Sequence, residues 1–233
     1  MQPNLFAASN KCPILSKASS ESRDYLIQQS RMRRFERGET IFLHEDTAAN
    51  CYILVNGWAK LYRIMPSGAE AVMRMHTSGE TIGFADALRG GTYQTGADAA
   101  SECIALEVPA AAIRATIAKD PEFGTILLTN SFEQIDALSE QIETLKCLSG
   151  MQRVAAFLLQ HARKRQDRLI VTLPYEKGLM AAYLGIKPES LSRALSKLKT
   201  FGVIPAGEGL EITDPTAIDE LIHSTMNELR KGA

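Results

Sequence analysis

The chain has 233 residues, of which 45% are hydrophobic and 23% charged, and its formal net charge at pH 7 is −1. That length suits one large domain or two modest ones, and no apolar run approaches the ~18 residues of a membrane-spanning helix. The N-terminus lacks the charged-then-apolar layout of a secretory signal. Four scattered cysteines without a CxxC pair argue against a zinc site or a disulfide scaffold, so we expect a cytoplasmic protein with no membrane partner.

Short strands with turns between them dominate the first half of the chain, after a predicted helix over residues 22–32. Asn56-Gly57 and Pro66-Ser67-Gly68 are strong turn signals. Strands that recur about every ten residues with glycine-containing turns predict a small barrel or roll. The predicted strands are residues 40–43, 51–55, 58–64, 69–76, 81–84 and 99–108.

A long helix is predicted after a short one at 109–118, because Asp120-Pro121 supplies a cap and a first-turn proline. Apolar positions then recur at spacings of three and four, as in a coiled-coil seam. A stripe this narrow favours a parallel homodimer, although packing on its own domain is the alternative. We expect Gly150 to end this helix. The seam comprises Leu128, Ser131, Ile135, Leu138, Ile142 and Leu145.

Two short helices joined by a turn are predicted over residues 173–202, the first at 175–184 and the second at 188–200. Gly185 suits the left-handed residue that ends a helix, and Pro188 suits the first turn of the next. The pair is typical of a helix-turn-helix that reads the DNA major groove, although similar helix pairs occur in proteins that do not bind DNA. The predicted buried edge is Leu191, Ala194, Leu195 and Leu198, and the polar edge is Glu189, Ser192, Arg193 and Ser196.

Positive charge concentrates around these helices. Between Arg153 and Lys199 ten Lys and Arg face three acids, a net charge of +7 in a chain that carries −1 overall. This block favours a phosphate-binding surface, with a solvated helix face as the alternative. A helix is predicted at 152–164, and the basic run 163–168 after it is a second candidate for the DNA backbone. A strand at 169–173, a hairpin at 203–205 and 210–212, and a helix at 216–222 complete the pattern.

The order of these elements carries a family resemblance. From about Phe35 to Ile222 the chain resembles the CRP/FNR family of bacterial transcription regulators, with marks that include YILVNG, the P-x-G hairpin, Gly79 and Gly83. The resemblance implies an α+β fold with an N-terminal cyclic-nucleotide-binding-like β-roll, a long dimerisation helix and a C-terminal winged helix-turn-helix. The implied boundaries are 1–119 for the sensor, 120–149 for the helix and hinge, and 150–233 for the DNA-binding domain.

The second helix of the pair carries the most specific chemistry. Glu189, Ser192 and Arg193 resemble the E-x-x-S-R signature of FNR-type regulators. The resemblance implies that Glu189 accepts from cytosine N4, Ser192 contacts thymine, and Arg193 donates to guanine O6 and N7 in a TTGAT half-site, present twice as an inverted repeat. Its implied partners are double-stranded promoter DNA, RNA polymerase and a second copy of the chain. The expected DNA-backbone contacts are Lys177, Lys187, Ser190, Ser196, Lys197 and Lys199.

Residues that the sensor lacks exclude two of the signals that regulators of this family detect. Cyclic-AMP-binding relatives use a Gly-Glu segment and an Arg-Ser pair, where this chain has Gly83-Phe84-Ala85-Asp86 and Tyr93-Gln94-Thr95-Gly96, so we expect no cyclic AMP. An iron–sulfur cluster needs four ligands, but the N-terminal segment offers Cys12 alone, so we expect none. Relatives without either feature include nitrogen-oxide regulators of the DNR/NnrR, denitrification type, some of which are thought to sense nitric oxide through haem. His76 is then the candidate axial ligand, and a hydrogen-bonded histidine at a strand end is the alternative.

We therefore predict a homodimeric transcription regulator and not an enzyme, gated by a signal other than a cyclic nucleotide, with nitric oxide acting through haem as one candidate. A ligand-independent regulator of the same family, controlled by abundance or thiol oxidation, is the alternative. A rival from another class is a cupin-like enzyme with an appended winged helix. Cupins need clustered metal ligands, commonly two histidines one residue apart, and four isolated histidines do not supply them.

Overall fold

The computed structural model describes residues 12–173, 177–207 and 209–231, with side chains in the last helix up to His223. The chain divides into two compact units, of which the first ends at Ile135 and the second begins at Asp136. This boundary falls inside the predicted connecting helix. The three-part division expected from the sequence stays a prediction.

The first unit is a β-roll with helices against one of its sheets. Its two four-stranded antiparallel sheets have the orders β1-β8-β3-β6 and β2-β7-β4-β5. The elements are α1 (Pro13–Lys17), α2 (Ser20–Gln29), β1 (Arg31–Phe35), β2 (Thr40–Phe42), β3 (Asn50–Asn56), β4 (Trp58–Ile64), β5 (Glu70–Thr77), β6 (Thr81–Ile82), α3 (Phe84–Arg89), β7 (Gly96–Ala99), β8 (Cys103–Pro109) and α4 (Ala110–Lys119).

Two hydrophobic cores lie on the two faces of the first sheet. Because side chains alternate along a strand, Leu106 and Val108 of β8 join the core that packs under the helices, while Cys103 and Ala105 join the core inside the roll. The core under the helices also contains Cys12 from the start of the described chain. One sheet therefore binds the helices on one face and closes the roll on the other.

An aromatic stack fills part of the roll interior. The rings of Phe42 and Tyr93 stack with centroids 3.8 Å apart, and Tyr52 lies 5.8 Å from Phe42. The Tyr93 hydroxyl donates a hydrogen bond to the Asn50 carbonyl oxygen at 2.5 Å. Gly83 has φ +68°, and a Cβ there would lie 2.8 Å from the Tyr93 ring, so only glycine fits this turn.

Three predicted elements of the first unit have bounds that differ from the structure by more than one residue. The helix predicted over 22–32 ends at Gln29, because β1 begins at Arg31 to pair with β8. The strand predicted over 81–84 has two residues, since the left-handed Gly83 starts α3. The strand predicted over 99–108 is two strands in different sheets. The chain turns between them where the Ser101 hydroxyl accepts from the Trp58 backbone N–H at 3.0 Å.

The long helix α5 (Pro121–Cys147) begins as the Asp-Pro pair predicts. Asp120 Oδ1 accepts from the Phe123 backbone N–H at 3.3 Å, while its Oδ2 accepts from the Ser22 and Ser19 hydroxyls at 2.6 and 3.0 Å. The hydroxyls of Ser22 and Ser19 lower the pKa of Asp120 below its ordinary value. One carboxylate thus caps α5 and holds the N-terminal helices beside it.

The second unit has the winged helix-turn-helix architecture, with a four-stranded sheet of order β11-β12-β10-β9. No helix in the described part of the chain is both long and apolar enough to cross a membrane. Besides a 3₁₀ turn at Lys199–Phe201, its elements are α6 (Gly150–His161), β9 (Arg163–Arg165), β10 (Arg168–Val171), α7 (Lys177–Tyr183), α8 (Pro188–Leu198), β11 (Val203–Ala206), β12 (Gly209–Ile212) and α9 (Pro215–Lys231).

The prediction that Gly150 ends the long helix is wrong. Helix α5 stops at Cys147, and Gly150 is the first residue of α6. Ser149 caps α6, because its hydroxyl accepts from the Gln152 backbone N–H at 3.4 Å while the Gln152 side chain accepts from the Ser149 backbone N–H at 3.0 Å. This reciprocal pair is a capping box, whose S-x-x-Q pattern was present in the sequence.

Other bounds in the second unit also differ. Helix α6 ends at His161, and the basic run after it forms the β9–β10 hairpin, turned by Gln166 and Asp167 at φ +47° and +63°. The strand predicted over 169–173 is shorter and begins at Arg168. The final helix runs from Pro215 to Lys231, well beyond the predicted 216–222. The predicted start of the first helix of the pair, at 175, lies outside the described residues.

Candidate DNA-binding site and sensor domain

Helix α8 buries one edge and leaves the other open. Leu191 and Leu198 are fully buried and Ala194 nearly so, in an edge that packs on α6, as the spacing predicts. Gly185, at φ +62°, lies in the turn after α7, and Pro188 opens α8. This turn fixes the second helix across the first, as in a helix-turn-helix.

The open edge carries the three predicted base-reading residues. Glu189, Ser192 and Arg193 are all exposed in the first six residues of α8. Arg193 Nη2 donates to the Ser190 hydroxyl at 3.3 Å. This guanidinium forms no ion pair with a carboxylate of the described residues, so it keeps donors available for an outside acceptor.

The residues predicted to contact the DNA backbone lie at the start of α7, along α8 and at the two ends of α8. Ser190 is half-buried, and the other five are exposed. Lys187 is the N-cap residue of α8, where it lies beside the helix N-terminus that attracts anions. The exposed members are Lys177, Lys187, Ser196, Lys197 and Lys199.

One cation of the basic block has a structural role that the sequence did not reveal. Arg153 Nη1 donates to the Leu184 carbonyl oxygen at 2.6 Å, and the Gly185 carbonyl oxygen lies 3.5 Å away. These carbonyls end α7, where a positive charge is favourable to the helix dipole. Arg153 therefore holds the turn of the helix pair, although by its charge it was counted in the basic block.

Helix α5 presents an apolar stripe to solvent. Five predicted seam residues are 44–57% exposed, and Ser131, which is exposed too, donates to the Leu127 carbonyl oxygen at 2.9 Å. Phe132 is 57% exposed beside them, and sequence reasoning missed it because the seam pattern takes one residue per turn. The exposed predicted members are Leu128, Ile135, Leu138, Ile142 and Leu145.

The sensor positions that would meet a cyclic nucleotide are engaged within the chain. Phe84 packs against the core under the helices. The Gln94 backbone N–H donates to Asp86 Oδ2 at 3.2 Å, and Arg89 Nη2 donates to Asp86 Oδ1 at 3.2 Å. A carboxylate of the protein thus lies against the turn at Gln94-Thr95, where a bound phosphate would meet like charge.

His76 lies on β5 opposite Ala59 of β4, with its side chain only 6% exposed. Its Nδ1 is 3.3 Å from Glu80 Oε2, but neither ring nitrogen makes a hydrogen bond of good geometry. Burial alone would raise the pKa of Glu80, but the His76 ring and the Thr77 backbone N–H together hold that pKa below its ordinary value. At this site a buried imidazole without a hydrogen-bond partner lies beside the Glu80 carboxylate, which can orient the ring.

Three of the four cysteines are buried in the sensor. Burial raises the pKa of the Cys12 and Cys51 thiols, and it raises that of Cys103 to about 11. Cys147, at the end of α5, is partly exposed. Within the described residues, no group of three or more His, Cys, Asp or Glu side chains could hold a metal ion.

Comparison with known proteins identifies both units. Residues 32–120 match the cyclic nucleotide-binding domain family, and residues 152–221 match the Crp-like helix-turn-helix domain family. The chain is 36% identical to a Ruegeria pomeroyi protein proposed to bind cyclic nucleotides, with a TM-score of 0.74 over 96% of this chain and 99% of that one.

Curated relatives agree with this assignment. The nitrogen fixation regulation protein FixK of Azorhizobium caulinodans is 28% identical over 80% of this chain and 77% of the relative. The fumarate and nitrate reduction regulatory protein of Escherichia coli K12 is 25% identical over 91% and 86%. These relatives are transcription regulators and not enzymes. The chain belongs to the CRP/FNR family of DNA-binding transcription regulators.

Proposed function

We propose that this regulator binds DNA as a homodimer at a TTGAT-like inverted repeat. The observation that carries the proposal is the open edge of α8, where Glu189, Ser192 and Arg193 are exposed in the first two turns. Arg193 suits the O6 and N7 acceptors of guanine, and Glu189 suits the amino donor of cytosine. The surrounding lysines supply contacts that position the helix without reading sequence.

The exposed stripe of α5 supports the homodimer. Apolar side chains at coiled-coil spacing gain stability when a second copy covers them, because each buried leucine or isoleucine contributes about 1.5–3 kcal/mol. A two-fold dimer would place two copies of α8 on two half-sites one helical turn apart. RNA polymerase is the protein partner that we propose for such a dimer at a promoter.

Fluorescence anisotropy with the full chain tests this function. A duplex with TTGAT and its inverted copy should bind at least about a hundredfold more tightly than one with both half-sites scrambled. Mass photometry of the same mixture should report two chains per duplex. Equal affinity for both duplexes, or one chain per duplex, would overturn the proposal.

We propose that the sensor does not respond to cyclic AMP. The Asp86 carboxylate, which accepts from the Gln94 backbone N–H, supports this because it would repel a phosphate at that turn. Phe84 has no carboxylate to offer a ribose. Isothermal titration with cyclic AMP should show no binding heat, and saturable binding would refute this part of the proposal.

Nitric oxide, sensed through haem at His76, is the signal that we propose as a candidate. It is favoured by the buried imidazole without a hydrogen-bond partner and by Glu80, which can orient Nδ1 and leave Nε2 for iron. Haem, when bound, would supply the nitric oxide ligation chemistry. After reconstitution and desalting, the wild type should keep a Soret band that His76→Ala loses. A band of equal strength in both proteins would remove His76 from this role.

A further inference from the structure

The inner face of the β4–β5 hairpin carries a row of cationic and titratable side chains. Ala59 of β4 belongs to the core inside the roll, and Leu61 packs against that core. The register places His76 opposite Ala59 and Arg74 opposite Leu61. Because side chains alternate along a strand, His76 and Arg74 face the interior of the roll, and Arg63 lies on the same face of β4. One imidazole and two guanidinium groups thus follow one another toward the tip of the hairpin.

The two arginines of this row differ in what they contact. Arg63 is exposed, and its Nε donates to the Gln94 carbonyl oxygen at 3.2 Å, at the turn where Asp86 accepts from the Gln94 backbone N–H. Arg74 is half-buried and forms no ion pair with a carboxylate of the residues that the structure describes. An anion beside Arg63 would meet the Asp86 carboxylate, so Arg74 is the better donor of the two.

Glu80 is the carboxylate that lies close to Arg74. Burial would raise the pKa of Glu80, but the His76 ring, the Thr77 backbone N–H and the Arg74 charge together hold that pKa below its ordinary value. Glu80 Oε2 accepts from the Thr77 backbone N–H at 3.0 Å and lies 3.3 Å from His76 Nδ1. Arg74 is therefore near Glu80 without an ion pair to it, and its N–H donors stay available to a second carboxylate.

The buried His76 is an independent sign that this face meets a ligand. Its side chain is 6% exposed, and neither ring nitrogen has a hydrogen-bond partner among the described residues. Because an unpaired buried polar atom costs free energy, folded proteins keep few of them unless a ligand or a water pairs with them. A strand rises about 3.3 Å per residue, so the Cα atoms of His76 and Arg74 are roughly 7 Å apart and one small ligand can contact both side chains.

We propose that the inner face of the β4–β5 hairpin binds a carboxylate group of the sensor's ligand, with the Arg74 guanidinium as the principal donor and His76 as the second contact. The inference rests on the proposed sensing role of the roll and adds the chemical class of its ligand. A carboxylate suits Arg74 because a guanidinium can bind it through two parallel N–H donors. The carboxylate is either a propionate of haem, with His76 on the iron, or part of a free organic acid, to which His76 donates.

Absorbance titrations with hemin and with hemin dimethyl ester test the first source, since esterification removes both propionate charges and leaves the ring and the iron unchanged. Wild-type protein should bind hemin on the order of tenfold more tightly than the ester, because a charged hydrogen-bonded pair is lost with the ester. Arg74→Gln should weaken hemin binding on the order of tenfold and change ester binding less than about twofold. His76→Ala should weaken binding of both porphyrins, since both use the iron.

Thermal unfolding with and without succinate, a small dicarboxylate, tests the second source. If the ligand is a free acid, succinate should raise the melting temperature of the wild type, and Arg74→Gln should remove this shift. That result, in a protein that binds neither porphyrin, would support the carboxylate site and refute the haem proposal alone.

Arg34→Gln is the matched control, because it removes the same charge from an exposed position of β1, where Arg34 pairs with Glu102 at 3.0 Å. It should change binding of each probe less than about twofold, and Arg74→Lys should keep part of the preference for hemin over its ester. Equal losses of hemin and ester affinity in Arg74→Gln would show that Arg74 only shapes the roll, and would overturn the proposal. Wild-type protein that binds none of the three probes, or Arg74→Gln that binds them like the wild type, would overturn it as well. The preference for TTGAT is measured without these probes, so failure here leaves the proposed DNA binding standing.

Discussion

The sensor unit and the DNA-binding unit differ in how they treat some of their cations. In the sensor, Lys60 is largely buried and pairs with Glu70 and with Asp98, the latter at 3.3 Å. In the DNA-binding unit, Arg193 and Lys197 are exposed on α8, and neither forms an ion pair with a carboxylate of the described residues. The difference teaches that the basic block matters through the charges that the protein leaves unneutralised, and not through its total charge.

The largest expected effect concerns the apolar stripe of α5, whose side chains are exposed. Leu138→Glu should weaken the proposed homodimer at least about a hundredfold, because two copies of a buried leucine are lost and two charges approach each other. Affinity for the inverted repeat should fall with it. Analytical ultracentrifugation and anisotropy measure both effects.

Glu140→Gln is the control for the stripe, since it lies exposed on the same helix outside the seam. It should leave the dimer unchanged. A dimer of normal strength in Leu138→Glu would show that the stripe of α5 faces something other than a second copy.

Arg153 sharpens the comparison because it is a cation of the basic block whose Nη1 donates to a carbonyl oxygen of the same unit. Arg153→Ala should destabilise the DNA-binding unit by about 1–3 kcal/mol, since the Leu184 carbonyl oxygen loses a charged donor. Urea unfolding monitored by circular dichroism measures the change. Arg163→Ala, whose guanidinium contacts exposed carbonyls, should change stability by less than about 0.5 kcal/mol. Equal changes would mean that Arg153 has no special role at the turn.

A smaller, pH-dependent effect is expected at Asp120. Its folded-state pKa is lowered by the Ser22 and Ser19 hydroxyls, so its contribution to stability is present above the unfolded pKa near 4 and is lost as the pH falls through the folded value. Ser22→Ala should therefore lower the melting temperature of the sensor at pH 7. The difference from wild type should shrink as the pH falls below about 4, as scanning calorimetry can measure. A difference that stayed constant from pH 7 to pH 2 would contradict this origin.

The smallest effect is expected at the thiols. Burial raises the pKa values of Cys12, Cys51 and Cys103, so these thiols should react slowly with Ellman's reagent in the folded protein, whereas the partly exposed Cys147 should react first. Cys147→Ser should alter DNA affinity less than twofold, with or without hydrogen peroxide. A large peroxide effect that Cys147→Ser removes would favour control by thiol oxidation.

The sequence predicted most elements because their signals are local. Asp120-Pro121 opens α5, Gly185 turns the helix pair, and the 3-4 spacing marks the stripe on α5. The split of residues 99–108 into two strands carries no Gly or Pro signal, because the turn depends on a hydrogen bond between Trp58 and Ser101, distant in sequence. Local patterns cannot show such a contact.

In the candidate site, too, some features could be predicted from the sequence and others could not. The polar edge of α8 follows from helical period, so Glu189, Ser192 and Arg193 could be placed without a structure. Whether a cation is open or paired depends on tertiary contacts, which is why the count of the basic block could not show that Arg153 binds the Leu184 carbonyl oxygen.

The most direct measurement is the affinity of wild-type and Arg193→Ala proteins for two duplexes, one with TTGAT half-sites and one with the guanine replaced in both. The wild type should prefer the first duplex by about 1–3 kcal/mol per half-site, and Arg193→Ala should lose that preference while Lys197→Ala weakens binding to both duplexes equally. If Arg193→Ala kept the wild-type preference and only bound both duplexes more weakly, the edge of α8 would not read sequence through Arg193, and the central claim would be contradicted.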